Sequence, residues 1–142
     1  MLVPINSIRG ELIDSEPMKK HTSLRVGGAA EYFYKPSDLD DLAYFLSALS
    51  SNISIFWLGR GSNILVRDKG LSGVVISSSK ILKEIREING LTIEVEANVP
   101  CSMLAKKCIR WGLGPSEFFS GIPGSFGGAL AMNAGAYRNE TW

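Results

Sequence analysis

Glycine placement constrains this chain more than any other feature. The 15 glycines in 142 residues are not scattered. They gather as Gly27-Gly28, as Gly59 and Gly61, as Gly70 and Gly73, and as Gly121, Gly124, Gly127, Gly128 and Gly135. Glycine accepts a left-handed backbone and lets another group come close to the main chain. Bends with bare backbone at set points are therefore the first thing such a chain must build.

The segments between these bends carry regular patterns. Residues 30–35 (Ala-Glu-Tyr-Phe-Tyr-Lys) read as a short strand. Pro36-Ser37 then announces a helix, with Ser37 as N-cap and Asp38, Asp40 and Asp41 in the first turn. Leu39, Leu42, Ala43, Leu46 and Leu49 recur at helical spacing and predict one buried face. Ser50-Ser51-Asn52 ends that helix, and Ile53 to Leu58 reads as a buried strand running straight into Gly59-Arg60-Gly61-Ser62-Asn63. Up to Val66 this is a strand–helix–strand unit with a glycine turn at its exit. Gly73 to Ile76 is a short strand, and Lys80–Ile88 and Leu91–Ala97 flank Asn89-Gly90, a strong hairpin signal. Pro100 suits the first position of a helix that runs to Trp111, stops at Gly112 and buries Leu104, Cys108 and Trp111. The expectation is an α+β chain in two small subdomains, residues 1–67 and 68–142.

Composition removes several function classes. Fifteen basic and 14 acidic residues leave a net charge of +1, with no clustered basic face for nucleic acid. Hydrophobic residues at 45% and charged residues at 20% exclude a disordered chain. The residues from Met1 to Lys20 show no basic segment followed by an apolar one, so no secretory signal is read there. The uncharged run Phe118–Tyr137 has 20 residues, the length of a membrane span, but Pro123, five glycines, two serines and Asn133 mark it as packed loop and helix. Cys101 and Cys108 on one helix would lie roughly 10 Å apart along its axis, too far for a disulfide. Two thiols suit a reducing cytoplasm. His21 is the sole histidine, which argues against a zinc centre or a histidine-based triad within the chain. No metal ligands, catalytic residues or protein partner are assigned.

Three segments could carry chemistry. In Leu58-Gly59-Arg60-Gly61-Ser62-Asn63 a strand ends in a glycine turn, so exposed N–H groups could form a nest for phosphate oxygens; an ordinary strand-exit turn has the same composition. It is neither a P-loop nor a Rossmann fingerprint, because no Gly-Lys-Ser/Thr follows and the third glycine is missing. In Gly121-Ile122-Pro123-Gly124-Ser125-Phe126-Gly127-Gly128-Ala129, Ser125 can cap a helix whose small residues admit either a flat ligand or tight packing, and whose N-terminus could take an anion. In Met132-Asn133-Ala134-Gly135-Ala136-Tyr137, Asn133 needs a partner if buried, either backbone or ligand. His21 reads as a structural hydrogen-bonder, Phe118 and Phe119 as core, and Lys106, Lys107 and Arg110 as the wet face of their helix.

Taken in order, these segments resemble one family. His21-Thr22-Ser23 with Val26-Gly27-Gly28-Ala29-Ala30 is similar to its N-terminal motif. Leu58 to Val66, with Asp68, Gly70 and Gly73, is similar to its first flavin loop, and Gly121 to Tyr137 to its second. The family is UDP-N-acetylenolpyruvoylglucosamine reductase, and the resemblance runs from about residue 20 to Trp142. It implies an α+β, two-subdomain FAD-binding domain of the vanillyl-alcohol-oxidase type with FAD between the subdomains. By the resemblance, Gly59, Gly61, Ser62 and Asn63 hold the pyrophosphate, and Arg60, also a candidate cofactor-binding residue, either adds charge there or points to solvent. Ile122, Pro123, Gly124, Gly128, Ala129, Asn133 and Gly135 then line the flavin. NADPH is the implied hydride donor. The implied substrate is UDP-N-acetylglucosamine enolpyruvate, reduced to UDP-N-acetylmuramate for peptidoglycan synthesis and hence for cell-wall growth, shape and division. Arg60 and Arg138 stand where many members carry glycine. The family's chains are roughly twice this length, so the resemblance implies a truncated domain without its substrate-binding domain or catalytic residues, inactive by itself. The alternatives are another FAD oxidoreductase of the same fold, for which the lack of a histidine near the second loop argues against covalently attached flavin, and a non-catalytic fragment.

Overall fold

The computed structural model describes residues 7–142. The reading of the N-terminus as lacking a secretory signal rests partly on residues 1–6, which lie outside the described residues. The described residues form two compact α+β units, the first running to Ile81 and the second spanning Leu82–Trp142.

The first unit is built on a four-stranded sheet. Its strands are β1 (Glu11–Pro17), β2 (Ala29–Lys35), β3 (Ile55–Leu58) and β4 (Leu71–Ser77), in the order β1-β2-β4-β3. β1 is antiparallel to β2, whereas β4 runs parallel to both β2 and β3. A strand placed between two parallel neighbours must be apolar on both faces. β4 satisfies this: Val74, Val75 and Ile76 are at most 1% exposed. This strand accounts for a departure from expectation. The sequence boundary at residues 67/68 would assign β4 to the second subdomain, but its hydrogen bonds to β2 and β3 hold it in the first unit, which ends at Ile81.

The two faces of the sheet are covered differently. Helix α1 (Leu39–Ala48) packs Leu42 and Phe45 over Tyr34, Val74 and Ile76. On the other face Met18 and Val66 join Ala30, Phe33, Leu58 and Val75. The α1 N-cap is Asp38, not Ser37, because the Asp38 carboxylate accepts the Asp41 N–H at 2.9 Å. The buried stripe also shifts: Leu39 is 57% exposed and Ala43 is exposed, while Phe45, absent from the expected set, is fully buried. β3 was expected to be buried; it is the sheet edge, with Ile55, Phe56 and Trp57 exposed.

The second unit pairs β5 (Ile85–Asn89) with β6 (Thr92–Val95) as an antiparallel hairpin around Asn89-Gly90, as expected. Helix α2 (Cys101–Trp111) follows and ends on Gly112 in the left-handed conformation, φ 70°. Pro100 is its N-cap and not its first residue, so the helix starts one residue later than expected, and the Pro100 carbonyl accepts the N–H groups of Met103 and Leu104. Cys101 and Cys108 lie buried on α2 as thiols. A 3-10 turn over Glu117–Gly121 buries Phe118 and Phe119. Helix α3 (Phe126–Ala131) and the small hairpin of β7 (Gly135–Ala136) with β8 (Asn139–Glu140) complete the unit. No helix of the described residues is long and apolar enough to cross a membrane.

Candidate functional site

The connection from β3 to β4 contains the first glycine turn. Gly61 is buried at φ +66°, and a Cβ built there would collide with the His21 carbonyl oxygen. The contact is held from the other side as well, since Ser23 N–H donates to the Gly61 carbonyl at 2.9 Å. The segment His21–Ser23 thus lies directly against the turn. Further along, Gly27 (φ +119°) leaves no room for a Cβ beside Val66, and Gly28 none beside the Asp68 carbonyl. Gly28 N–H and Gly70 N–H both donate to the Arg67 carbonyl, at 3.1 and 2.9 Å. The two glycine groups of the first unit therefore serve each other, packing main chain against main chain.

What this packing leaves open is a run of donors. Among the described residues, the N–H groups of Arg60, Gly61, Ser62 and Asn63 donate no hydrogen bond. Successive free N–H groups around a left-handed glycine form a concavity suited to anionic oxygens. Arg60, Ser62 and Asn63 are exposed, and Arg60 makes no ion pair among the described residues. The cradle, its missing Cβ and its donors fit a phosphate group.

His21 is anchored as a structural residue. Its ring stacks on Phe33, centroids 4.3 Å apart, and its Nε2 stands 2.9 Å from Glu16 Oε1. The hydrogen bond from His21, aided by Lys20 at 3.2 Å, holds the Glu16 carboxyl below its usual value against the opposing effect of burial. An ionised carboxylate can only accept, so Nε2 carries the proton.

The second glycine-rich segment is built differently. Ser125 caps α3 as expected, its Oγ accepting the Gly128 N–H at 3.4 Å. The other leading donors of α3 are also taken: Phe126 N–H binds the Val99 carbonyl and Gly127 N–H the Ala97 carbonyl, each at 2.8 Å. The anion site considered at this helix N-terminus does not form, because those groups clamp α3 to residues 97–99. Gly127 is explained by the same clamp, since a Cβ would lie 2.9 Å from Ala97 Cβ. Gly128 is exposed, and a Cβ there would meet only Ser125 Oγ, at 3.3 Å.

The remaining residues of this stretch divide into core and surface. Ile122 and Ala129 lie in the core of the second unit, with Cys101, Leu104 and Phe119. Pro123 and Gly135 are exposed and Gly124 is half-buried, its carbonyl accepting the Cys101 N–H. Asn133 finds its partners within the chain: Nδ2 donates to Glu140 at 2.9 Å, and Oδ1 accepts the Trp142 N–H at 3.0 Å. Tyr137 and Arg138, the residues between β7 and β8, both adopt positive φ, 52° and 68°. Arg138 thus occupies a conformation suited to glycine.

The mutual packing of the two first-unit loops and the prior use of the α3 donors were not read from the sequence. The only signal was glycine pairs recurring in two loops, which carries no information about which loop meets which.

Residues 30–142 match the family described as FAD binding domain. The chain is 50% identical over 134 residues to the UDP-N-acetylenolpyruvoylglucosamine reductase of Methylococcus capsulatus, covering 94% of this chain and 44% of that protein. It is 52% identical over 136 residues to the reductase of the same name from Nitrosococcus oceani, covering 96% of this chain and 46% of that protein. Among solved structures it resembles UDP-N-acetylenolpyruvylglucosamine reductase from Thermus caldophilus, with TM-score 0.66 and 29% identity over 94% of this chain and 45% of that one. The chain spans less than half the length of these relatives.

Proposed function

The chain belongs to the FAD binding domain family, and from that premise we propose that it is the FAD-holding portion of a UDP-N-acetylenolpyruvoylglucosamine reductase. The observation that carries the reading is the run of undonated N–H groups from Arg60 to Asn63, set around a left-handed Gly61. In this reading Gly59, Arg60, Gly61, Ser62 and Asn63 bind the FAD pyrophosphate: the backbone donates hydrogen bonds, Ser62 and Asn63 add side-chain donors, and Arg60 adds a positive charge. Ile122, Pro123, Gly124, Gly128, Ala129, Asn133 and Gly135 form the flavin-side surface, where Gly128 lets a flat ring approach the main chain. The internal consumption of the α3 donors supports this division, since it leaves the second segment without a phosphate site of its own.

A flavin held by these residues would supply the redox chemistry, hydride transfer from NADPH to the enolpyruvyl double bond of the UDP-sugar. The described residues bind and orient; none is assigned a proton-transfer role. Two buried thiols fit a cytoplasmic setting.

The test is native purification of the whole encoded protein. Expected results are a flavin visible absorption spectrum, release of that flavin on denaturation, and NADPH oxidation only when the UDP-enolpyruvyl sugar is added. A protein that purifies without flavin and does not quench added FAD fluorescence saturably would refute the reading. The double variant Ser62→Ala/Asn63→Ala is expected to weaken FAD binding about tenfold, as two polar contacts would.

A further inference from the structure

We propose that the Glu16–His21 pair is a positioning device for the Gly59–Asn63 turn: it holds the His21 carbonyl against Gly61 and so fixes the arrangement of N–H groups that takes a diphosphate. The proposal rests on the assignment of that turn to FAD.

The backbone at His21 is fixed from three directions. Its N–H donates to the Met18 carbonyl at 2.8 Å, closing the 3-10 turn over Met18–Lys20. Its ring lies on Phe33, which is fully buried in the sheet. Its Nε2 is held by Glu16, a carboxylate only 8% exposed on β1. Lys20 Nζ also reaches this carboxylate, at 3.2 Å, so Glu16 is held in place from a second side while it binds Nε2. Held in this way, the His21 carbonyl forms a wall that excludes any Cβ at position 61, and Ser23 N–H, two residues on, secures the Gly61 carbonyl at 2.9 Å.

The consequence for the turn follows from glycine itself. Free of its neighbours, Gly61 would sample left- and right-handed backbone about equally. The anchored His21–Ser23 segment selects one of these. Neither Glu16 nor His21 is placed in contact with ligand, so both act through the backbone of Gly61.

Two independent readouts test this on the whole encoded protein. The first is FAD affinity in wild type, Glu16→Gln, His21→Phe and His21→Gln. His21→Phe keeps a ring for Phe33 and loses the donor; His21→Gln keeps a donor for Glu16 and loses the ring. We expect Glu16→Gln and His21→Phe to raise the FAD Kd about tenfold, the size of one charge-assisted hydrogen bond, and His21→Gln to recover to within about threefold of wild type. The second readout is the amide chemical shifts of Arg60–Asn63 in FAD-free protein, which should move in Glu16→Gln while those of the second unit stay. If wild type binds FAD and all three variants bind within twofold of it, the proposal is wrong. It is equally wrong if His21→Gln loses as much affinity as His21→Phe, because the hydrogen bond would then not be the operative contact. If wild type fails to bind FAD, the assignment of the turn fails, and the amide shifts alone decide the coupling: unchanged shifts reject it, moved shifts sustain it.

Discussion

At the scale of single residues, Asp41 shows how a buried charge organises a local structure. Its carboxylate accepts the Tyr34 hydroxyl at 2.6 Å, Arg9 N–H at 2.8 Å and Ser37 N–H at 2.9 Å. Burial pushes this carboxyl up, and those hydrogen bonds together outweigh burial and hold it below its ordinary value. Burial, followed by the bond to Asp41, pushes the Tyr34 hydroxyl strongly upward. A carboxyl depressed on folding stabilises the native state above its unfolded value and loses that contribution as pH falls through its folded value. Glu16 is depressed in the same sense. Unfolding free energy is therefore expected to be flat from neutral pH down to the ordinary carboxylate range, about 4, and to fall below it. In Asp41→Asn, urea denaturation at pH 7 should show a loss of about 2–4 kcal/mol, and the acid fall should be shallower than in wild type. Glycines separate just as sharply. Gly61→Ala places a methyl group against the His21 carbonyl at positive φ and should cost about 2–5 kcal/mol. Gly90 lies outside the left-handed region with open space around it, so Gly90→Ala should be neutral or stabilising by about 0.5 kcal/mol.

At the scale of elements, legibility followed local information. The hairpin around Asn89-Gly90, the stop of α2 at Gly112 and the Ser125 cap each depend on residues within a few positions, and each forms as read. β1 has no local signature, because Glu-Leu-Ile-Asp-Ser-Glu-Pro shows no alternation; it is a strand through its ladder with β2, which no local pattern encodes. The apolar run of β3 suggests an interior strand, but such a run carries no information about position in the sheet, and β3 is its edge. The α3 N-terminus failed as an anion site for a similar reason, since residues 97–99, remote in sequence, take its donors. The β7–β8 hairpin yields a prediction of its own. With Arg138 at φ 68°, Arg138→Gly should relieve about 1 kcal/mol of left-handed strain, seen as a higher midpoint in thermal unfolding.

At the scale of the whole molecule, each unit has its own hydrophobic core and carries its own candidate segment. Of the twelve proposed binding residues, Gly59 to Asn63 fall in the first unit and Ile122 to Gly135 in the second. The motifs were legible because a glycine turn after a strand is a local signal; the chain's division was misplaced because β4 joins its sheet by pairing with strands distant in sequence. If FAD binds only the folded protein, FAD at about one hundred times its Kd should raise the unfolding free energy by about 2.7 kcal/mol. Calorimetry with and without FAD measures this directly, and an unchanged transition would speak against a native-state site.

The packing of the His21–Ser23 segment against Gly61 has a kinetic consequence. A ligand that meets a prearranged set of donors forfeits little chain entropy on capture. Capture of FAD should therefore proceed in one bimolecular phase, its observed rate linear in cofactor concentration under rapid mixing, with no slower unimolecular rearrangement after it.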